Sequence, residues 1–186
     1  MGFFDVEYYD SGEGLPPSLT APHGVLPGLL DVSLVMHQTS TVAVVLGPLT
    51  VWPTGLDLTL AAVAREPGTA FLRALQPDAY AEAGRAWPPP ELLRFGVEYA
   101  DGRRVANLRE PMALARSGLS LFTRLGTGGS GGFRTHYWLS PLPPEGPVTF
   151  ACEWPEYDIP ETRIELQASD ILAAAGRAQG LWDRTG

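Results

Sequence analysis

Side chains that change character at every second position set the main constraint on this chain. Leu93, Phe95, Val97 and Tyr99 alternate with Arg94, Glu98 and Ala100, and Val148, Phe150, Cys152 and Trp154 alternate with Thr149 and Glu153. Successive Cβ atoms of a strand point to opposite faces, so this period gives a sheet one apolar side. Leu56, Leu58, Leu60 and Ala62 repeat it against Asp57, Thr59 and Ala61, as do Ile164 and Leu166 against Arg163 and Glu165. Thr41–Leu46 is apolar and β-branched throughout, the pattern of a strand covered on both faces. Asp101-Gly102 follows one alternating run at once, and Asp-Gly favours a tight hairpin turn. The return strand is expected over Arg103–Asn107.

Glycine and proline, 21 and 18 residues, fall between these runs. Gly47-Pro48 is expected to end one strand, with Leu49–Trp52 forming another before Pro53-Thr54-Gly55 turns the chain. Gly126–Gly132 reads as a flexible connector leading into a strand at Phe133–Leu139, and Pro141–Gly146 and Pro155–Pro160 as turns. Residues 25–40 are apolar enough for an edge strand. Phe71–Leu75 and Ala79–Arg85 are expected to make short helical turns between prolines. From Ser169 the period changes. Ser169 as N-cap, Asp170 in the first turn and a stripe of Ile171, Leu172, Ala175 and Ala178 predict a helix over 169–182. Leu181 and Trp182 are expected to hold it to the sheet. About seven short strands with regular turns, and no long helices for parallel crossovers, predict a mainly β fold. The expected architecture is an antiparallel two-sheet β-sandwich with a short C-terminal α-helix. It is expected to be a single domain over 25–186, preceded by a flexible acidic and aromatic tail over 1–24.

Several spaced blocks carry a resemblance. Val51-Trp52-Pro53-Thr54-Gly55-Leu56, Val97–Arg103, Gly128–Gly132, Tyr137–Pro143 and Phe150-Ala151-Cys152-Glu153-Trp154-Pro155 resemble a group of uncharacterised proteins from high-GC Gram-positive bacteria. The likeness spans about residues 25–182. It implies a shared fold and assigns no activity to any position.

Formal net charge is −8, and all thirteen basic residues are Arg. Residues 1–64 contain Asp5, Glu7, Asp10, Glu13, Asp31 and Asp57 and no Lys or Arg. Such a chain repels a phosphate backbone and lacks a basic stripe to override that, so no nucleic-acid partner is expected. No apolar run approaches the roughly 20 residues that span a bilayer, so no membrane association is expected either. Met1-Gly2-Phe3-Phe4-Asp5 lacks the positive region of a secretory leader, and Cys152 is the only cysteine. Both point to a cytoplasmic location.

Motifs that resemble chemistry fail on context. Gly126-Thr127-Gly128-Gly129-Ser130-Gly131 matches G-x-G-x-x-G, but a dinucleotide loop must open a helix, and a strand follows here. Gly128-Gly129-Ser130-Gly131-Gly132 matches the G-x-S-x-G elbow, which also needs a helix and a later His. His136 is the only later one, six residues on in the same predicted strand. A hydrolase with Ser130, His136 and a carboxylate gathered at residues 126–132 is thus the alternative to a non-enzymatic reading. A sugar or small-ligand site using Trp52, Trp87 and Trp138 is a third possibility. His23, His37, His136 and Cys152 show no metal-ligand spacing, so neither metal nor cofactor is expected. Cys152, between Phe150 and Trp154, reads as a core thiol. Glu98, Asp101, Glu153, Glu156 and Asp158 supply carboxylates, with nothing to pair them across a cleft.

Two features point to a protein partner or to self-association. Phe3, Phe4, Tyr8 and Tyr9 stand among acids and cannot form a core alone, but suit an apolar groove with a basic rim. Arg94, Arg103, Arg104, Arg109, Arg116, Arg124 and Arg134 are a basic excess able to grip an acidic partner, even the chain's own tail, with Arg103 and Arg104 as its candidate centre. The expected function is a non-enzymatic interaction or structural module. Deleting residues 1–20 should leave the thermal midpoint within a few degrees. A drop of many degrees would show that they belong to the core.

Overall fold

The alternating rows become two facing layers. The computed structural model describes Gly2 and residues 20–66, 87–108, 118–129 and 131–182. The larger sheet joins β2 (Gly28–Leu30), β4 (Val42–Trp52), β5 (Gly55–Ala64), β9 (Gly132–Ser140) and β8 (Ser120–Gly129) in that order. Beside β2, β3 (Leu34–Gln38) pairs the other half of β4. The smaller sheet runs β11 (Ile159–Gln167), β10 (Pro147–Trp154), β6 (Arg94–Tyr99) and β7 (Arg104–Ala106). Every pairing is antiparallel, as hairpins allow and parallel crossovers do not. A short ribbon pairs β1 (Val25–Leu26) with β12 (Gln179–Gly180). The chain is therefore an antiparallel two-sheet sandwich.

The core lies where the apolar rows meet. Val44, Leu46, Leu49, Leu56, Leu58, Leu60, Tyr137 and Leu139 come from one sheet; Phe95, Val97, Val148, Phe150, Cys152 and Trp154 come from the other. Residues 25–40 supply edge strands, as their composition suggested. Helical turns expected at Phe71–Leu75 and Ala79–Arg85 fall outside the described residues.

Three local expectations need correction, and the Asp101-Gly102 hairpin is found as expected. Gly47-Pro48 does not end a strand, since β4 runs through it with a bulge between Leu46 and Leu49. The inserted residue shifts parity, so Val44 and Leu46 before it, and Leu49 and Val51 after it, all face the core. Gly47 has φ +118°, and a Cβ there would stand 1.9 Å from the Val32 carbonyl oxygen, so only glycine fits. The Asp101-Gly102 hairpin forms with a three-residue loop. Gly102 N–H donates to Tyr99 O and Tyr99 N–H to Arg103 O, both at 2.9 Å, and only Gly102 of the pair takes positive φ. The glycine connector is largely strand, because Gly126–Gly129 extend β8 against β9. Backbone pairing does not depend on side chains, and here it overrides the weak strand propensity of glycine.

The helix is the third correction. It spans Ala168–Ala175, here α1, with Gln167 rather than Ser169 at its N-cap. Ala168, Ile171 and Ala174 are buried, Leu172 and Ala175 partly so. α1 lies against β2, β4 and β11 and closes that side of the sandwich. Its approach to β2 is so close that a Cβ on Gly28 would stand 1.7 Å from the Ala174 carbonyl oxygen. Leu181 and Trp182 do not pin it, being 47% and 77% exposed. After Ala175 the chain turns and pairs with β1 instead, which carries both residues outward.

Ile171 is the large side chain on the buried face of α1. Ile171→Ala should cost about 2–5 kcal/mol in denaturant unfolding, the usual range for a buried large-to-small change. A loss below about 0.5 kcal/mol would show that the helix is not part of the core.

Candidate functional site

Among the described residues, those singled out from sequence lie apart. Phe3, Phe4, Tyr8 and Tyr9 lie outside the described residues, as do Arg109 and Arg116. Arg103 is committed to its own hairpin. Its Nε donates to Asp101 Oδ2 at 2.8 Å, its Nη1 donates to Gly118 O at 3.0 Å, and its guanidinium stands 5.6 Å from the Tyr99 ring centre. Arg104 sits across from Glu98 in the β6–β7 register. Arg94 pairs with Glu153, and Arg124 with Asp57 at 2.8 Å. Arg134 is exposed on β9. The described arginines are spread over both sheets and form no single grip among themselves.

The glycine segment lacks the context of a nucleophile elbow. A strand rather than a helix follows it, and at about 3.3 Å per residue β9 carries His136 roughly 17 Å from Gly131. Ser130 lies outside the described residues.

His136 belongs instead to a polar row on the outer face of the larger sheet. Asp57 and Thr59 project from β5, His136 from β9 and Arg124 from β8. Thr59 Oγ1 and His136 Nδ1 are 3.2 Å apart. Asp57 Oδ1 is buried without a hydrogen-bond partner, 3.9 Å from the same Nδ1. A catalytic triad uses both imidazole nitrogens, one for the carboxylate and one for the nucleophile. Here both neighbours face Nδ1, so the row does not have triad geometry. Burial pushes the Asp57 carboxyl above its ordinary value, although Arg124 and His136 pull it down. Beside it Trp138 is buried and meets half-buried Trp52 edge-on at 5.6 Å, while Trp52 Nε1 donates to Val25 O. Neither ring is a free platform. Trp87 is half-exposed but lies near β6, apart from both. The sequence named His136 and the tryptophans without linking them to Asp57 or Thr59, because that proximity depends on cross-strand register.

On the smaller sheet, Glu153 is taken by Arg94, and burial together with nearby Glu91 raises the carboxyl of Glu156. Cys152 is buried in the core, where desolvation pushes its thiol up to about 12, so it stays protonated and unreactive at neutral pH. Among the described residues no three His, Cys, Asp or Glu side chains gather as a metal site. No helix among them is long and apolar enough to cross a membrane.

Two surface features remain. Leu26, Leu29, Leu181 and Trp182 are 52%, 64%, 47% and 77% exposed. They crowd one corner because Leu26 pairs with Gln179, Leu181 N–H donates to Gly24 O, and Arg177 Nη2 donates to Leu29 O at 2.6 Å. Trp182 lies over Gly24, where a Cβ would stand 3.1 Å from its ring. The second is a hollow of about 310 Å3 at the β8–β9 turn, lined by Ala62, Val63, Thr127, Phe133, Arg134 and glycine backbone. Comparison with protein-family models, with curated proteins and with solved structures finds no match.

A carboxyl raised in the folded state binds protons more readily there than in the unfolded chain. Its favourable contribution is present below the unfolded value, about pH 4, and is lost as pH rises through the raised folded value. Stability of the native chain relative to Asp57→Asn should therefore fall between about pH 4 and neutrality. Parallel pH–stability curves for the two proteins would contradict the burial of Asp57.

Proposed function

We propose that this chain is a non-enzymatic interaction module that contacts another protein through the apolar corner formed by Leu26, Leu29, Leu181 and Trp182. The observation that carries the reading is the clustering of these four exposed side chains around the β1–β12 ribbon. Scattered apolar residues are ordinary on a protein surface, whereas a cluster of large ones marks a contact site. Trp is well suited to such a role, since one rigid ring covers a large area at little conformational cost. The sandwich behind the corner acts as a rigid mount, with Trp52 tying β1 to the end of β4 through its bond to Val25 O. Catalysis is not needed to account for any of these features, and the polar groups best placed for it already engage one another.

A photoactivatable phenylalanine analogue at Leu29, in the cells that make the protein, should yield a discrete covalent adduct whose second component mass spectrometry identifies. The same analogue at exposed Glu145, away from the corner, should not. Trp182→Asp in the same chain should reduce the adduct at least about tenfold. Equal labelling from both positions, or none from Leu29, would remove the support for this reading.

A further inference from the structure

The opposite end of the larger sheet carries a second, chemically different surface. There β5, β9 and β8 end side by side, with Val63 beside Gly132 and Gly132 beside Gly129. The hollow of about 310 Å3 noted above lies at these ends. A Cβ on Gly132 would stand 2.5 Å from the Ala62 carbonyl oxygen, so glycine there lets β9 close on β5. A Cβ built on Gly129 or Gly131 meets nothing within 4 Å, so the space stands open rather than being filled by a neighbour. Val63, 41% exposed, forms an apolar wall.

The adjoining edge is built to accept a strand. β8 is the outermost strand of its sheet, so among the described residues one side of its backbone has no strand partner. Native edges are usually guarded by Pro, by Lys or by bulges. Ser120–Gly129 contains no Pro or Lys, and its one charged residue, Arg124, is folded onto Asp57. Its bulge falls between Thr123 and Leu125, leaving Leu125–Gly129 in regular register. Thr127, Gly128 and Gly129 are exposed.

Charge selects what fits. Residues 118–140 contain Arg124 and Arg134 and no Asp or Glu, in a chain of net charge −8. Arg124 is paired, whereas exposed Arg134, on the wall of the hollow, has no ion pair among the described residues. Arg65, followed by Glu66, lies on the far side of Val63. A second copy of this chain pairing through β8 would bring no carboxylate from its own residues 118–140 to Arg134. The geometry points to an extended acidic segment of another protein. It adds to β8 as a further strand, seats an apolar side chain over Gly129 and Gly132 beside Val63, and places a carboxylate on Arg134. Main-chain bonds along the edge supply affinity, and the hollow and the guanidinium supply selection.

This deepens the interaction reading but uses a face remote from the apolar corner, so the two fail separately. The test is fluorescence anisotropy of the full-length protein with a fluorescein-labelled peptide of sequence EVEFEVEG, compared with its neutral counterpart QVQFQVQG. The acidic peptide should bind in saturable fashion, and the neutral one at least about tenfold more weakly. Arg134→Glu should weaken the acidic peptide by about tenfold or more. Gly129→Val fills the hollow where a side chain has room, and should also weaken binding with the thermal midpoint preserved. Trp182→Asp should leave peptide affinity unchanged, which separates this site from the corner. Equal binding of the two peptides, wild-type affinity in both Arg134→Glu and Gly129→Val, or no binding at ~1 mM peptide would overturn the proposal. A dimer of the free protein that Gly129→Val disperses would assign the edge to a second copy and overturn it as well.

Discussion

The two sheets are held in register by a contact between Phe95 of β6 and Tyr137 of β9. Their rings lie 5.6 Å apart, stacked at an interplanar angle of 27°, and Phe150 stacks behind Phe95 at 6.4 Å. Buried aromatic pairs of this kind contribute roughly 0.5–1.5 kcal/mol beyond the area they cover. Asn107 fixes the contact from the side. Its Oδ1 accepts from Phe95 N–H at 2.8 Å, and its Nδ2 donates to Leu93 O at 3.0 Å and to the Tyr137 hydroxyl at 3.3 Å. One buried amide therefore ties the edge of β6 to the opposing sheet. Burial raises the Tyr137 hydroxyl, so it remains neutral in the core.

Much follows from that filled centre. With both inner faces packed, Cys152 and Tyr137 are closed off from solvent. Polar groups that could react are pushed to the outer face, where Asp57, Thr59, Arg124 and His136 neutralise and orient one another. The two proposed contact surfaces lie at the two ends of the larger sheet. One end is apolar, where the β1–β12 ribbon brings Leu26, Leu29, Leu181 and Trp182 outward. The other is cationic and open, where glycines strip side chains from the last rungs of β8 and β9.

The sandwich was legible because alternation is a local property. Phe95, Val97, Phe150, Cys152 and Trp154 face inward as their spacing implies, and each is fully buried. Positions that depend on partners distant in sequence were not legible. The bulge at Gly47 is set by Val32 pressing on its backbone, and Gly126–Gly129 become strand because β9 lies beside them. The outward turn of Trp182 follows from pairing between residues 24–26 and 179–181, more than 150 positions apart. For the same reason the polar row and the apolar corner had no sequence signature of their own. Arg134 appeared only as one member of a dispersed basic excess until the register placed it beside an empty hollow.

Hydrogen–deuterium exchange of the unliganded full chain tests most directly whether this protein keeps a closed core and an open edge. Amides of β5, β9 and β10 should exchange only by global unfolding, while about half of those along Ser120–Gly129, the ones turned away from β9, exchange at the earliest times. Protection of all β8 amides to the level of β9 would mean that the edge is already covered, and would contradict the account.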